Sequence, residues 1–295
     1  MKLIINPVAA LSMVIALLCA SCNKATAADP APTTTTDTMT TNIDTTGTKV
    51  RIETSMGTFT VLLYDDTPIH RDNFVKLASE GYYNGTLFHR VINQFMVQAG
   101  DPASKTAQPG QMLGSGDPGY TLEAEIRFPQ RFHKRYTLAA ARTGDQVNPE
   151  RRSSGSQFYV VTGTKVPEAA LPQLEARINN SMAQSIFNGL AQQHMDEIRT
   201  MQAAGDQAGL KALQDKLVAE TEAQIAANPF TLTPEMKKAY AEVGGAPHLD
   251  GQYTVFGEVI EGMEVIDNIE KVETDRNDRP TTDIRIISTT VIPAK

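Results

Sequence analysis

Three short runs of the sequence together supply one arginine, several apolar side chains and glutamine amides. Such a combination can act on a bound chain segment. The runs lie at residues 88–101, 154–159 and 249–257. The side chains with this potential are Arg90, Phe95, Met96, Gln98, Gln157, Tyr159 and Leu249. A guanidinium stays charged at physiological pH and holds its donors in a rigid plane, so it can stabilise a developing lone pair. Glutamine amides can orient a peptide backbone, and the apolar residues can form a pocket beside the cation.

Other kinds of chemistry lack their usual residues. The sequence offers no Ser-His-Asp or Cys-His set for nucleophilic catalysis. Its histidines show no ligand-like pairing with cysteines or carboxylates, so we expect neither a metal nor a cofactor. These histidines are His70, His89, His133, His194 and His248. The glycine-rich residues 114–119 lack the Lys-Ser/Thr pair of a phosphate-binding loop and are interpreted as a turn.

The order of the motifs resembles one protein family. Phe88-His89-Arg90 precedes Phe95-Met96-Val97-Gln98, Gly155-Ser156-Gln157-Phe158 follows, and Leu249-Asp250-Gly251 comes last. This order resembles the cyclophilin family of peptidyl-prolyl cis–trans isomerases. The resemblance covers residues 48–166 and 247–295 and implies that these form one mainly β domain. It implies a closed eight-stranded antiparallel barrel capped by two helices, acting on proline-containing peptides.

The resemblance also carries the family's site onto this chain. It implies that Arg90 is the catalytic residue. The substrate-binding residues that it implies are Phe95, Met96, Gln98, Ala141, Arg142, Gln157, Tyr159, His248, Leu249 and Tyr253. Four of them depart from common family residues: Arg142 stands for asparagine, Tyr159 for phenylalanine, Tyr253 for histidine and His248 for tryptophan. Because the tryptophan N–H supports cyclosporin binding in the family, His248 predicts weak inhibition by cyclosporin.

Isomerisation of an X–Pro bond needs no nucleophile and no proton transfer. Its barrier is roughly 18–20 kcal/mol because the C–N bond has partial double-bond character. Twisting restores the nitrogen lone pair, so a cation that hydrogen-bonds this nitrogen binds the twisted amide better than either planar isomer. Arg90 is predicted to donate that bond. A hydrogen bond to a charged group is worth roughly 1.5–3 kcal/mol, which is one to two decades in rate.

A non-catalytic function stays open at this stage. The chain could bind proline-containing segments, or act as a holdase chaperone, with the same pocket and no turnover. A single arginine on a strand is more often a surface or salt-bridge residue, and Phe95 and Met96 alone would suit a core. The presence of Arg90 together with both glutamines favours the enzyme.

The elements that must position these residues are mostly short strands. Alternating apolar residues over residues 48–54 and 58–64, separated by a turn with a glycine, predict a β-hairpin. Thr67 followed by Pro68 predicts the start of a helix that ends at Gly81. Further strands are predicted at Leu87–Ile92, Phe95–Gln98, Tyr136–Ala141, Gln157–Thr162, Tyr253–Val259 and Asp283–Ile292, with a second helix at about Met263–Ile269. Many short strands and few helices favour a barrel or sandwich.

Residues 167–246 have a helical periodicity instead. Apolar side chains recur at three- and four-residue steps over residues 171–201 and again over residues 210–225. Gly205-Asp206 predicts a stop and a new N-cap between them, and therefore an inserted antiparallel helical hairpin. Thr233-Pro234 predicts a further short helix. The hairpin is either a self-packed decoration or an arm that keeps unfolded clients near the site.

The N-terminus is typical of an exported protein. Lys2 and the apolar residues 8–20 predict a signal peptide over residues 1–21, because a membrane-spanning helix needs about 20 apolar residues. Small residues before Cys22 resemble the bacterial lipobox, in which that cysteine is lipidated. Residues 22–47, rich in Thr, Ala and Pro, predict a disordered tether after the lipidated cysteine. We expect a lipid-anchored protein on the periplasmic or cell-surface side of a bacterial membrane; an ordinary cleaved signal peptide is the alternative.

Composition narrows the range of partners. The 34 acidic residues exceed the 27 lysines and arginines, and a net charge of −7 does not favour binding to nucleic acid. Both cysteines lie in the N-terminal region, so the folded part has no disulfide. We expect a monomer that binds proline-containing peptides and unfolded exported proteins and contacts a membrane only through its lipid anchor.

Overall fold

The computed structural model describes residues 47–294. The strands are β1 (Lys49–Thr54), β2 (Gly57–Leu63), β3 (Arg90–Ile92), β4 (Met96–Ala99), β5 (Thr121–Leu122), β6 (Thr137–Ala140), β7 (Ser153–Ser154), β8 (Phe158–Val161), β9 (Val255–Glu261) and β10 (Ile286–Ile292). The α-helices are α1 (Pro68–Ser79), α2 (Leu171–Gln193), α3 (Met195–Ala204), α4 (Gln207–Ala227), α5 (Pro234–Glu242) and α6 (Met263–Ile269). Three 3₁₀ turns lie at Pro102–Thr106, Glu168–Ala170 and Pro247–Leu249.

Eight strands form one curled antiparallel sheet in the order β10-β1-β2-β9-β6-β8-β4-β3, which confirms the predicted eight-stranded antiparallel fold. The edge strands β3 and β10 do not pair along a regular ladder. Instead, an isolated bridge joins Leu87 to Arg285, just before each edge strand begins. Phe88 N also donates to Ile284 O at 2.9 Å. The predicted closure therefore consists of this short stretch, and strand β3 begins three residues later than the sequence pattern indicates.

The core inside the sheet is rich in aromatic side chains. Phe59, Phe74, Phe158 and Phe256 are all buried. Phe74 comes from helix α1 and meets Phe158 edge to face, with ring centroids 5.3 Å apart at 84°, an arrangement that the ring quadrupoles favour. Helix α6 adds Ile266 and Ile269 to the same core. Both predicted helices of the β domain are thus present and bury their apolar faces against the sheet.

Helix α1 begins after Thr67 as predicted, but the threonine side chain does not cap it. The carboxylate of Glu125 takes that role, because it accepts from the backbone N–H groups of Ile69 at 3.1 Å and of His70 at 2.9 Å. It also contacts His70 Nδ1 at 2.7 Å. A carboxylate at a helix N-terminus satisfies free N–H groups and complements the helix dipole.

The described chain divides into two compact units. The helical unit consists of residues 176–230. In it, Gly205 (φ +70°) ends α3 and the Asp206 carboxylate accepts from Gly209 N at 2.8 Å, which confirms the predicted stop and N-cap. Leu210, Leu213 and Leu217 of α4 pack with Phe187 and Ile198.

The barrel unit consists of residues 47–175 and 231–294 and includes the end of the predicted insertion. Thr233 caps α5 by accepting from Met236 N at 3.1 Å. Tyr240 of α5 is fully buried and lies against Phe132, with ring centroids 5.5 Å apart. Glu175 accepts from Leu232 N at 2.9 Å, so the two chain ends that flank the helical unit are already hydrogen-bonded.

The predicted signal peptide, Cys22 and nearly all of the predicted tether lie outside the described residues. Within residues 47–294, every helix is too short or too polar to cross a membrane.

Candidate active site

Strands β3 and β4 form a hairpin that presents the residues of the first motif. Arg90 pairs with Gln98 and Val91 pairs with Val97. Because side chains alternate along a strand, both valines point into the core while Arg90 and Gln98 share the opposite face. Gln94 has φ +60° in the turn between the strands. The hairpin therefore fixes the cation and an amide side by side.

A cleft of about 470 Å³ lies on that face. It brings together nine of the predicted site residues, which are Arg90, Phe95, Met96, Gln98, Ala141, Arg142, Tyr159, Leu249 and Tyr253. Gln157 and His248 are not among the lining residues. Residues 111–114 and 277–279 also line the cleft, although no motif in the sequence pointed to a site there. His89 lines it as well, and burial lowers its pKa, so it is neutral beside Arg90 at pH 7.

Gln157 lies behind Gln98 and orients it. Gln157 is 6% exposed, and its Nε2 donates to Gly114 O at 3.0 Å and to Gly116 O at 2.7 Å. Its Oε1 accepts from Gln98 Nε2 at 3.0 Å. Gln98 uses one of its two amide hydrogens in this bond, and this orients its own Oε1 as an acceptor for a bound peptide N–H. The side-chain amide of Gln157 is thus engaged inside the protein, and Gln157 is not among the residues that line the cleft.

The apolar side of the cleft is one packed cluster. Met96 and Tyr159 are buried, and Phe95, Leu249 and Tyr253 are partly exposed against them. The rings of Tyr159 and Tyr253 meet edge to face at 6.0 Å. A proline ring would find a preformed apolar surface here.

His248 and Ala141 are both placed by contacts with other parts of the protein. His248 is exposed, and its ring lies 5.1 Å from that of Phe95, so it supports the cleft from outside. The Ala141 N–H donates to Gln157 O at 3.0 Å, and its carbonyl accepts from Ser154 N at 2.8 Å. Ala141 therefore has its own N–H and one carbonyl position already bonded.

The Arg142 guanidinium is also engaged by the protein. Its Nε donates to Gln252 O at 2.9 Å, and Nη1 lies 2.6 Å from Asp145 Oδ1. Its centre stacks 4.4 Å above the ring of Tyr253. These contacts fix Arg142 as part of the cleft wall.

A buried chain of hydrogen bonds fixes Tyr159 from behind. Its hydroxyl lies 3.0 Å from His133 Nε2, and His133 Nδ1 lies 3.0 Å from Asp250 Oδ1. Asp250 also accepts from His133 N at 2.8 Å and from the hydroxyl of Tyr240. Burial raises the pKa of Tyr159 well above its ordinary value, so the hydroxyl stays protonated. The sequence showed Asp250 in a motif but gave no sign that His133 and Tyr240 reach it.

Three arginines with ion-pair partners line the described cleft, and Arg90 has the most exposed side chain of the three. Its side chain is 43% exposed, and Nε lies 3.5 Å from Asp278 Oδ2. Within residues 47–294, Asp278 is its only ion-pair partner. The contact is at Nε, so the two terminal nitrogens remain available to a bound ligand.

Comparison with known proteins points to one family. The model of the family described as cyclophilin type peptidyl-prolyl cis-trans isomerase matches residues 49–216 and 230–291. A protein of Staphylococcus saprophyticus, provisionally described as a peptidyl-prolyl cis-trans isomerase, is 32% identical over 246 residues, which is 83% of this chain and 91% of the relative. A Staphylococcus haemolyticus relative of the same description is 30% identical over 243 residues, with 81% and 89% covered.

Two further comparisons are weaker, one in the share of the relative that is matched and the other in sequence identity. A Streptococcus pyogenes protein, provisionally described as a bifunctional phosphatase/peptidyl-prolyl cis-trans isomerase, is 31% identical over 244 residues, but the match spans only 38% of that relative. A crystal structure of a Cryptosporidium parvum cyclophilin type isomerase is 20% identical with a TM-score of 0.47, covering 83% of this chain and 96% of that one. From the family match over most of its length, this chain belongs to the cyclophilin-type peptidyl-prolyl cis-trans isomerases.

Proposed function

We propose that the chain accelerates rotation of X–Pro bonds in exported proteins, with Arg90 donating to the imide nitrogen of the twisted bond. The observation that carries this is the position of Arg90. Its guanidinium lines the same cleft as the apolar cluster around Phe95, Met96 and Leu249, and its terminal nitrogens are not taken up by an ion pair. A proline ring held on the apolar cluster would place its nitrogen on the side of the cation.

The cleft residues divide the work between binding and catalysis. The apolar cluster and Gln98 bind planar and twisted substrate alike, which anchors the ring and the backbone without lowering the barrier. Arg90 acts on the twisted state alone, because the nitrogen lone pair is available only when conjugation is broken. One charge-assisted hydrogen bond of roughly 1.5–3 kcal/mol corresponds to a factor of about 10–150 in rate.

The test is a protease-coupled or refolding assay with an uncharged proline peptide. Arg90→Ala should lower kcat/KM by about 10–150-fold, the value of that bond, while peptide binding weakens much less. Arg51→Ala is a matched control, because Arg51 is an exposed strand arginine away from the cleft. If Arg90→Ala isomerises as fast as wild type, the catalytic role is wrong. If neither protein turns over the peptide but both bind it, the chain is a binding module.

We further propose that the protein works outside the cytoplasm, tethered through Cys22. The support is the sequence of residues 1–47 described above, and the natural clients would then be unfolded exported proteins. Metabolic labelling with a fatty acid should mark wild type and Cys19→Ser but not Cys22→Ser, and membrane fractionation should release only the last. Equal labelling of all three proteins, or of none, would contradict the anchor.

A further inference from the structure

We infer that Asp278 is a positioning residue for Arg90: its carboxylate holds the Nε side of the guanidinium so that the terminal nitrogens face the cleft. This rests on the proposed role of Arg90. Asp278 Oδ2 lies 3.5 Å from Arg90 Nε, and both side chains are about half exposed. The two residues are 188 positions apart in the sequence, so the fold alone brings them together.

The backbone of Asp278 is held in an unusual conformation. Its φ is +61°, in the left-handed region that favours glycine, although aspartate and asparagine tolerate it better than other residues. Non-glycine residues in this region persist where the surrounding structure holds them, and they cluster at functional sites. A glycine here would avoid the backbone cost but would leave Arg90 without a carboxylate.

The turn around Asp278 is fixed by its own hydrogen bonds. The carboxylate of Asp275 accepts from Asn277 N at 2.7 Å and from Arg279 N at 3.1 Å. Asp278 N donates to Asp275 O at 3.1 Å. These bonds define the conformation in which the Asp278 side chain projects towards β3.

Two further contacts connect this turn to the cleft walls. Asp278 O accepts from Val91 N at 2.7 Å, which places the turn beside the strand that carries Arg90. Arg279 is 5% exposed, and its Nη1 donates to the carbonyls of Gln108 and Gln111 at 2.8 and 3.0 Å. The turn is thus tied both to β3 and to the loop that forms another part of the cleft, so the carboxylate has a defined position relative to the guanidinium.

The physical effect is pre-organisation. A free arginine side chain samples many rotamers, and only some place the terminal nitrogens at the substrate. The carboxylate favours rotamers in which Nε faces it. Exposed ion pairs of this kind change an equilibrium by about two- to fivefold, so Asp278 should raise the population of productive Arg90 rotamers by a similar factor.

Asp278→Gly is the critical variant, because glycine suits φ +61° and removes only the carboxylate. With an uncharged proline peptide, kcat/KM should fall about two- to fivefold, while the melting temperature stays the same or rises. Asp278→Asn keeps an acceptor oxygen, so its kcat/KM should lie between those of wild type and Asp278→Gly. High salt should reduce the wild-type rate towards that of Asp278→Gly, because screening weakens an exposed ion pair.

A double-mutant cycle with Arg90→Ala separates this inference from the proposed function. If Asp278 acts through Arg90, adding Asp278→Gly to Arg90→Ala should change kcat/KM no further. An equal loss in both backgrounds, or no loss in either, would overturn the positioning role. If Arg90→Ala alone retains wild-type activity, the catalytic assignment of Arg90 fails first and the positioning role fails with it.

Discussion

Replacing Tyr240 by phenylalanine should destabilise the barrel unit without slowing isomerisation. Tyr240 is fully buried and donates to the carboxylate of Asp250, which is also buried. Among residues 47–294, the Asp250 carboxylate has three such contacts, and the other two are with the backbone N–H and the Nδ1 of His133. Removing the hydroxyl leaves one carboxylate oxygen without this donor. Because Asp250 is buried, water cannot easily replace the lost hydroxyl.

The size of the effect follows from the charge of the acceptor. A hydrogen bond to a charged group contributes roughly 1.5–3 kcal/mol, and about 2–4 °C of melting temperature corresponds to each kcal/mol in a protein of this size. Tyr240→Phe should therefore melt about 3–12 °C below wild type by calorimetry or circular dichroism. Since Tyr240 does not line the cleft and both His133 donors remain, kcat/KM at 25 °C should stay within about twofold, as expected for a change outside the site.

Tyr120→Phe is the matched control, because Tyr120 also donates a hydroxyl hydrogen, to Asn73 at 2.7 Å, but on the surface. Its melting temperature should stay within about 2 °C of wild type, as surface substitutions usually cost under about 0.5 kcal/mol. If Tyr240→Phe melts no lower than Tyr120→Phe, the reasoning about the buried carboxylate is refuted. A large fall in kcat/KM would instead show that α5 acts on the cleft through His133 and Tyr159.

Four more predictions test other parts of the molecule. Replacing residues 176–230 by a short Gly-Ser linker should leave isomerisation of short peptides unchanged, because the flanking chain ends are already hydrogen-bonded; failure to protect a denatured client would identify the helical unit as a docking arm and not a decoration. Burial lowers the pKa values of His70 and His89 below the ordinary 6.5, so the unfolded chain takes up protons before the folded one. The free energy of unfolding should therefore fall as the pH drops below 6.5, by up to about 1.4 kcal/mol per pH unit for each histidine. A free energy of urea unfolding that is constant from pH 7.5 to 5.5 would contradict this. Isomerase assays should show kcat/KM nearly flat between about pH 6.5 and 8, because arginine does not titrate there. A steep bell-shaped pH profile would require another mechanism. Cyclosporin should inhibit weakly, and His248→Trp should strengthen inhibition; nanomolar inhibition of wild type would contradict the prediction.

The sequence predicted the fold well where local signals were strong. Proline after Thr67 and the Gly205-Asp206 pair marked helix boundaries that the structure confirms, because these residues restrict the backbone locally. It predicted too long a strand before Ile92, because Leu87 pairs only through one bridge to a distant residue. The capping role of Glu125 was also missed, since a carboxylate that arrives from another part of the chain leaves no short-range signal.

The cleft shows the same division between local and distant signals. Arg90 and Gln98 share a face because they are directly paired across the adjacent strands β3 and β4. This pattern can be predicted from their spacing in the sequence. Asp278 could not be found in that way. It lies in a polar stretch of the printed sequence with no apolar periodicity, and only the left-handed φ and the bond to Val91 reveal its relation to the cleft.

The supports of the cleft residues differ in a way that bears on catalysis. Gln98 is held by buried Gln157, and Tyr159 is held by buried His133, so binding groups are fixed by partners that solvent does not reach. Arg90 alone among these three is held by a half-exposed partner. A buried pair would hold the guanidinium more firmly, but it would engage the charge and exclude the substrate nitrogen. An exposed carboxylate at Nε restricts the side chain while leaving the terminal donors free, which is the compromise that the proposed donation to the twisted bond would require.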